Sequence, residues 1–288
     1  MWLFFLIFIV ILILFTIIWV PFLIFFERRI LGVLQLRYGL FIYFFNAFFV
    51  FISDFLKILG KYNHFFFSYN FFLLYISSVF FLFITVLILI SFPFNNYAVI
   101  FYFFFPLLFL VLMSFIPFPF SLFIYFSNSI FSFIGNIRSI LLLISYELVF
   151  DFWILILFIL IYYYSVIIFI NFIILPVCFI LYITFLCDAS RVPFDLIEGE
   201  SELVSGFNTE LAFLSFLIVF FAEYIIFFFF IVFTWYLLNM SLCFVLFFYL
   251  FTRALLVRFF FTFIIYLFWF YYLFFLTFYF FYVLLIII

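Results

Sequence analysis

Six of the chain's eleven carboxylates, Asp188, Asp195, Glu198, Glu200, Glu202 and Glu210, fall within residues 187–210 beside a single base, Arg191. Carboxylic acids take up and release protons, so this segment could carry protons or face a cationic surface. Pro193 breaks any continuous helix here and pushes Val192 toward extended backbone. Beyond it, Asp195, Glu198 and Glu202 share one face if the segment is helical, with Glu200 opposite. A solvated acidic surface is the plainer alternative. So many acids against one base need water around them, which a hydrated funnel or a cationic partner supplies better than lipid headgroups.

Three more acids lie within apolar runs. Glu147 follows Arg138 by nine residues, about 14 Å of helix, and Asp151 stands one turn further on the same face. Glu223 follows Glu210 by 13 residues, about 20 Å of helix. A carboxylate in mid-bilayer costs about 2.5–3.5 kcal/mol on insertion scales. Such a group exchanges its charge for a proton readily, which suits a relay; a buried, hydrogen-bonded structural carboxylate is the alternative. The remaining charges, Glu27-Arg28-Arg29, Arg37, Arg253 and Arg258, read on composition alone as stop-transfer residues.

The elements that hold these groups must be membrane helices. Of 288 residues, 75% are hydrophobic and 7% charged, with a mean hydropathy of +1.70, whereas soluble domains carry about 25% charged residues. A net charge of −2 gives no sign of nucleic-acid binding. Cys178, Cys187 and Cys243 are scattered and His64 is the only histidine, so zinc, haem and iron–sulfur ligation lack support. No phosphate-cradling glycine loop, nucleophile–histidine pair or nucleotide fingerprint occurs. The 69 phenylalanines fit codon bias in an AT-rich organellar genome better than an aromatic function.

A span takes about 20 apolar residues. The sequence offers eight: Trp2–Phe26, Phe71–Ser91, Ala98–Ile124, Ser139–Ile161, Val166–Leu186, Leu211–Trp235, Leu237–Phe251 and Phe259–Ile287. Charged clusters follow the first, third, fifth and seventh, so all emerge on one face. The positive-inside rule makes that face cytoplasmic or matrix. The expected fold is one all-α integral membrane domain over 1–288, with charged connections at 27–64 and 187–210. Within 44–61, Asp54, Lys57 and Lys61 share one helical side, as in an amphipathic helix at the interface or beneath a partner. Asn208 is a plausible N-cap for the sixth span, with Glu210 in its first turn.

With these residues in place, the sequence resembles the quinone-site membrane subunits of respiratory complex I, the NADH:ubiquinone oxidoreductase chain 1 family. The segment from Cys187 to Glu210, CDASRVPFDLIEGESELVSGFNTE, follows the family's loop signature without a gap. Ala222-Glu223-Tyr224, the run ERRILGVLQLRYG from Glu27, Asp54-Phe55-Leu56-Lys57, and Arg138 with Ser145-Tyr146-Glu147 match further motifs in order. Departures exist. An aspartate, Asp188, stands where the family has a longer acid, Leu142 replaces a glutamine, and Gly39 alone remains of a G-P-N. The basic connection before the last span keeps only Arg253, Ala254 and Arg258, with Phe260 and Thr262 where the family has an arginine and an aspartate.

The resemblance implies a multi-pass subunit of the mitochondrial inner membrane with its charged loops in the matrix. It implies ubiquinone as substrate, entering a chamber shaped by Arg28, Arg37, Arg138, Arg191, Phe194, Arg253 and Arg258. Proton or charge coupling would fall to Glu27, Asp54, Glu147, Asp188, Asp195, Glu198, Glu200, Glu202, Glu210 and Glu223. The chain itself would bind no metal or redox cofactor. FMN and iron–sulfur clusters would sit in partner subunits, the peripheral quinone-reducing subunits among them, and small membrane subunits would lead on to antiporter-like ones. Two other classes remain: a proton-coupled secondary transporter, which should show an internal repeat, and a passive membrane anchor for peripheral subunits.

Overall fold

Backbone polar groups in hydrocarbon must be satisfied within their own segment, which leaves helices as the economical solution for so apolar a chain. The computed structural model describes residues 2–37, 49, 53, 56–57, 60, 69–91, 99–163, 167–191, 193–194, 210–211, 213–238 and 241–287. Among these, every regular element is helical. They are α1 (Trp2–Leu34), α2 (Tyr69–Ser91), α3 (Val99–Ser114), α4 (Pro117–Phe126), α5 (Ile130–Tyr163), α6 (Ile167–Asp188), α7 (Phe213–Leu238) and α8 (Leu242–Leu255). The last span comprises α9 (Phe261–Tyr266), a π-helical segment (Leu267–Tyr272) and α10 (Leu273–Ile287). Hydroxyls inside the helices are satisfied on the preceding turn: Ser77 donates to the Leu74 carbonyl at 2.8 Å, Thr85 to Leu82 at 2.8 Å and Ser145 to Leu142 at 2.7 Å.

Five stretches of the described residues are long and apolar enough to cross a membrane, Phe72–Ser91, Leu107–Phe126, Ile130–Ile156, Leu214–Trp235 and Phe261–Leu285, and Cys178–Asp188 and Leu242–Leu255 are shorter apolar helices. The all-α membrane architecture expected from the sequence therefore holds, with boundaries that differ in four places. The third expected span, Ala98–Ile124, is two helices broken at Phe115–Ile116. Pro117 has no N–H to donate and its ring crowds the Met113 carbonyl, so that carbonyl instead accepts from the Ile116 N–H at 2.9 Å. The fourth span begins at Ile130 rather than Ser139, which puts Arg138 inside a helix and not in a connection. Glu210 precedes α7, which starts at Phe213, so Glu210 is not in the first turn of that helix. The first helix also runs past the expected Phe26 to Leu34, carrying Glu27, Arg28 and Arg29 within it.

The helix α7 is the axis of the bundle. It packs most extensively on α2 and also meets α1, α6 and α8. Its face from Ala222 to Thr234 is buried throughout, including Phe229, Phe230 and Ile231. Phe230 stacks on Phe185 of α6 at 4.2 Å between centroids, and Phe229 on Phe109 of α3 at 5.0 Å. The final span is the opposite case, with Phe270, Phe274, Phe278 and Phe281 all exposed. In a bilayer, that exposure is the lipid-facing side and needs no water-soluble cover.

Four contacts tie the charged ends together. Asn128, between α4 and α5, donates its backbone N–H to Glu210 before α7. Phe259, between α8 and α9, donates its backbone N–H to the Pro193 carbonyl at 3.1 Å after α6. Phe194 and Phe259 meet at 5.7 Å, and Arg253 of α8 pairs with Glu27 of α1. The described ends of these connections therefore meet one another.

Candidate functional site

Two charge clusters flank the Glu223–Tyr224 turn of α7. Successive helical residues point about 100° apart, so neighbours in sequence serve different sides. Glu223 lines a cavity of about 30 Å³, above the roughly 10–15 Å³ that one water needs. Glu147 of α5, Asp188 at the end of α6, Ser190, and the apolar side chains Met113, Pro117 and Phe120 complete much of its wall. The Pro117 break described above is thus a wall of the cavity. Asp188 lies within electrostatic reach of both Glu147 and Asp151, and Glu147 of Asp151.

The local chain explains how Asp188 reaches the site. Helix α6 ends in a turn in which Ser190 takes a φ of 48° and its N–H bonds the Cys187 carbonyl at 3.0 Å. A left-handed residue past the last turn satisfies carbonyls that would otherwise be orphaned, and glycine is its usual occupant. Ser190 fills it here while lining the cavity. Because Asp188 and Ser190 belong to the charged face, the cavity lies closer to that face than counting residues from Arg138 and Glu210 suggests. The first turns of α5 extend beyond the point where α6 stops.

The second cluster lies on the Tyr224 side. The Tyr224 hydroxyl donates to Oε2 of Glu27 at 2.6 Å, and the Arg253 guanidinium pairs with the other carboxylate oxygen. The Arg191 guanidinium covers the Tyr224 ring at 4.2 Å and the Phe220 ring at 5.7 Å from the centroids, an attraction between cation and ring quadrupole. Glu27 is 5% exposed and Arg191 8%, so this is an internal arrangement of four elements and not a surface pair. Tyr224→Phe removes one charge-assisted hydrogen bond from a buried carboxylate. It is expected to lower the stability of the assembled protein by about 1.5–3 kcal/mol, read as a lower unfolding midpoint with the α-helical spectrum unchanged.

The fold thus brings together Glu147, Asp188 and Glu223, and separately Glu27, Arg191 and Arg253. Arg138 lies apart, its guanidinium over the Phe261 ring at 5.4 Å, while Phe194 is buried against Phe259. Arg28, Arg37 and Arg258 are exposed on the charged side. Glu210 stands outside both clusters. Asp54, Lys61, Asp195, Glu198, Glu200, Glu202 and Asn208 lie outside the described residues. Among the described residues, no group of acids, histidines and cysteines could hold a metal ion. Reading the sequence for carboxylates and arginines passed over Tyr224, Ser190 and Pro117. A hydroxyl next to a membrane glutamate and a proline in mid-span were the available signals.

The profile of the NADH dehydrogenase family matches residues 6–285. The chain is 34% identical over 213 residues to NADH-ubiquinone oxidoreductase chain 1 of Locusta migratoria, covering 71% of this chain and 67% of that one. The protein of the same name from Apis mellifera ligustica is 32% identical over 213 residues, covering 71% and 69%. That from Anopheles gambiae is 31% identical over 213 residues, covering 71% and 68%.

Proposed function

Because the chain belongs to the NADH dehydrogenase family, we propose that it is a core membrane subunit of an NADH–ubiquinone oxidoreductase, helping to form the quinone chamber and coupling quinone reduction to proton translocation. The shared cavity of Glu147, Asp188 and Glu223 carries this reading. Carboxyls crowded around one small, largely apolar space repel when all are ionised, so the favoured states share protons among them. A change of charge at one end of such a group shifts the occupancy of the others.

Reduction of a quinone to the quinol takes up electrons and protons in equal number, so the side chains that donate the protons are left more negative, a charge change that the acids can sense. The electrons reach the quinone from a cluster held by a peripheral subunit, and this chain supplies the walls and the acids. The cluster of Arg191, Phe194, Arg253, Glu27 and Tyr224 lies at the charged face, where a quinone head rising from the bilayer would meet cationic and aromatic groups. Asp195, Glu198, Glu200 and Glu202 add to the acids of the 187–210 segment, with Asp54 a further member of the coupling set. The complex sits in the mitochondrial inner membrane with this face toward the matrix. A passive anchor has no use for three acids around one cavity, and that disfavours it.

A photoreactive quinone analogue tests the chamber. Labelling of the assembled complex is expected on peptides containing residues 187–194 and 253–260, suppressed by excess ubiquinone. Competable labelling confined to other subunits would remove this chain from the chamber.

A further inference from the structure

Building on that reading, we infer that Glu210 is a positioning residue that latches the acidic segment to the neighbouring connection and transfers no proton itself. Both of its carboxylate oxygens accept from the same donor, the backbone N–H of Asn128, at 2.8 and 3.0 Å. A relay needs partners that can both give and take a proton. A main-chain N–H only donates, so this contact is a dead end for transfer and a firm hold on geometry.

Position agrees with chemistry. Glu210 precedes α7, whereas Glu223 is ten residues beyond the start of that helix, about 15 Å along it. Glu210 is also absent from the cavity wall. At the other end of the segment, the Pro193 carbonyl accepts from the Phe259 N–H at 3.1 Å, and Arg191 covers the Tyr224 ring. Glu210 thus ties the chain just before α7 to the connection at 127–129, and Pro193 ties the end of α6 to the one at 256–260. The latch requires an acceptor oxygen of the right reach and not a titratable group.

Glutamine keeps that oxygen and loses the proton chemistry, whereas alanine loses both. In the assembled complex, Glu210→Gln is expected to retain quinone reduction and proton pumping within about twofold, with the pH profile of the wild type. Glu210→Ala is expected to lose about tenfold in both rates, the scale of one lost charge-assisted hydrogen bond, and to speed hydrogen exchange of the Asn128 amide by a similar factor. Should Glu210→Gln fall as far as Glu210→Ala with an altered pH profile, Glu210 is a proton carrier and the latch is wrong. Wild-type exchange and rates in Glu210→Ala overturn it equally. If the alanine variant does not assemble, the glutamine variant decides by the same two outcomes. Glu147→Gln run alongside separates the two ideas: normal pumping there removes the coupling role, while the exchange measurement still tests the latch.

Discussion

Complex carrying Glu223→Gln is expected to reduce quinone and pump protons at least about tenfold more slowly than wild type, with electron entry into a water-soluble acceptor unchanged. The amide preserves the volume and most of the polarity of the side chain, so the cavity and its packing should survive. What it removes is the proton that the carboxyl can hold. Glu147→Gln should act in the same way, because Glu147 lines the same cavity. Asp151→Asn should cost less, since Asp151 acts on Glu147 and Asp188 electrostatically and is not part of the wall. Measuring the rates together with proton release in sealed vesicles separates a coupling defect from failed assembly. Wild-type rates in both Glu147→Gln and Glu223→Gln would reduce the chain to an anchor.

Arg253→Leu should be the most destabilising single change on the charged face. It leaves Glu27, itself 5% exposed, with the Tyr224 hydroxyl but without the guanidinium that pairs with it. Breaking a buried ion pair by removing one partner costs about 3–5 kcal/mol. Because the pair joins α1 to α8, the loss should appear as less assembled complex and a lower unfolding midpoint. Removing both charges, with Glu27→Gln added to Arg253→Leu, should recover much of it, since a Gln side chain still accepts from the Tyr224 hydroxyl and carries no unpaired charge. If the double variant is no more stable than the single one, the guanidinium holds the helices by packing and not by charge.

The arrangement also explains why one helix serves two purposes. Tyr224 and Glu223 are neighbours in sequence but face different clusters, so a small rotation or shift of α7 would be felt on both sides. The Arg191 guanidinium over Tyr224 and the Asp188 carboxyl in the cavity come from the same short stretch at the end of α6. The left-handed turn at Ser190 lies between them and aims the two at different sides of α7.

The sequence by itself determined that this chain lives in a membrane, that it is helical, and that most of its charges fall between the apolar runs. Each follows from local chemistry: runs too apolar for water, backbone groups that must bond within their own segment, and bases held out of hydrocarbon. It also marked Glu147 and Glu223 as costly enough to need a purpose. It did not reveal that these two meet Asp188 across one cavity, because residues 35 positions apart or more become neighbours only when helices pack. The break at Pro117, the continuation of α5 back to Ile130, and the separation of Glu210 from the cavity of Glu147, Asp188 and Glu223 were likewise decided in three dimensions. Side chains choose partners by the direction in which a packed helix presents them, and a linear count of charges carries no such direction.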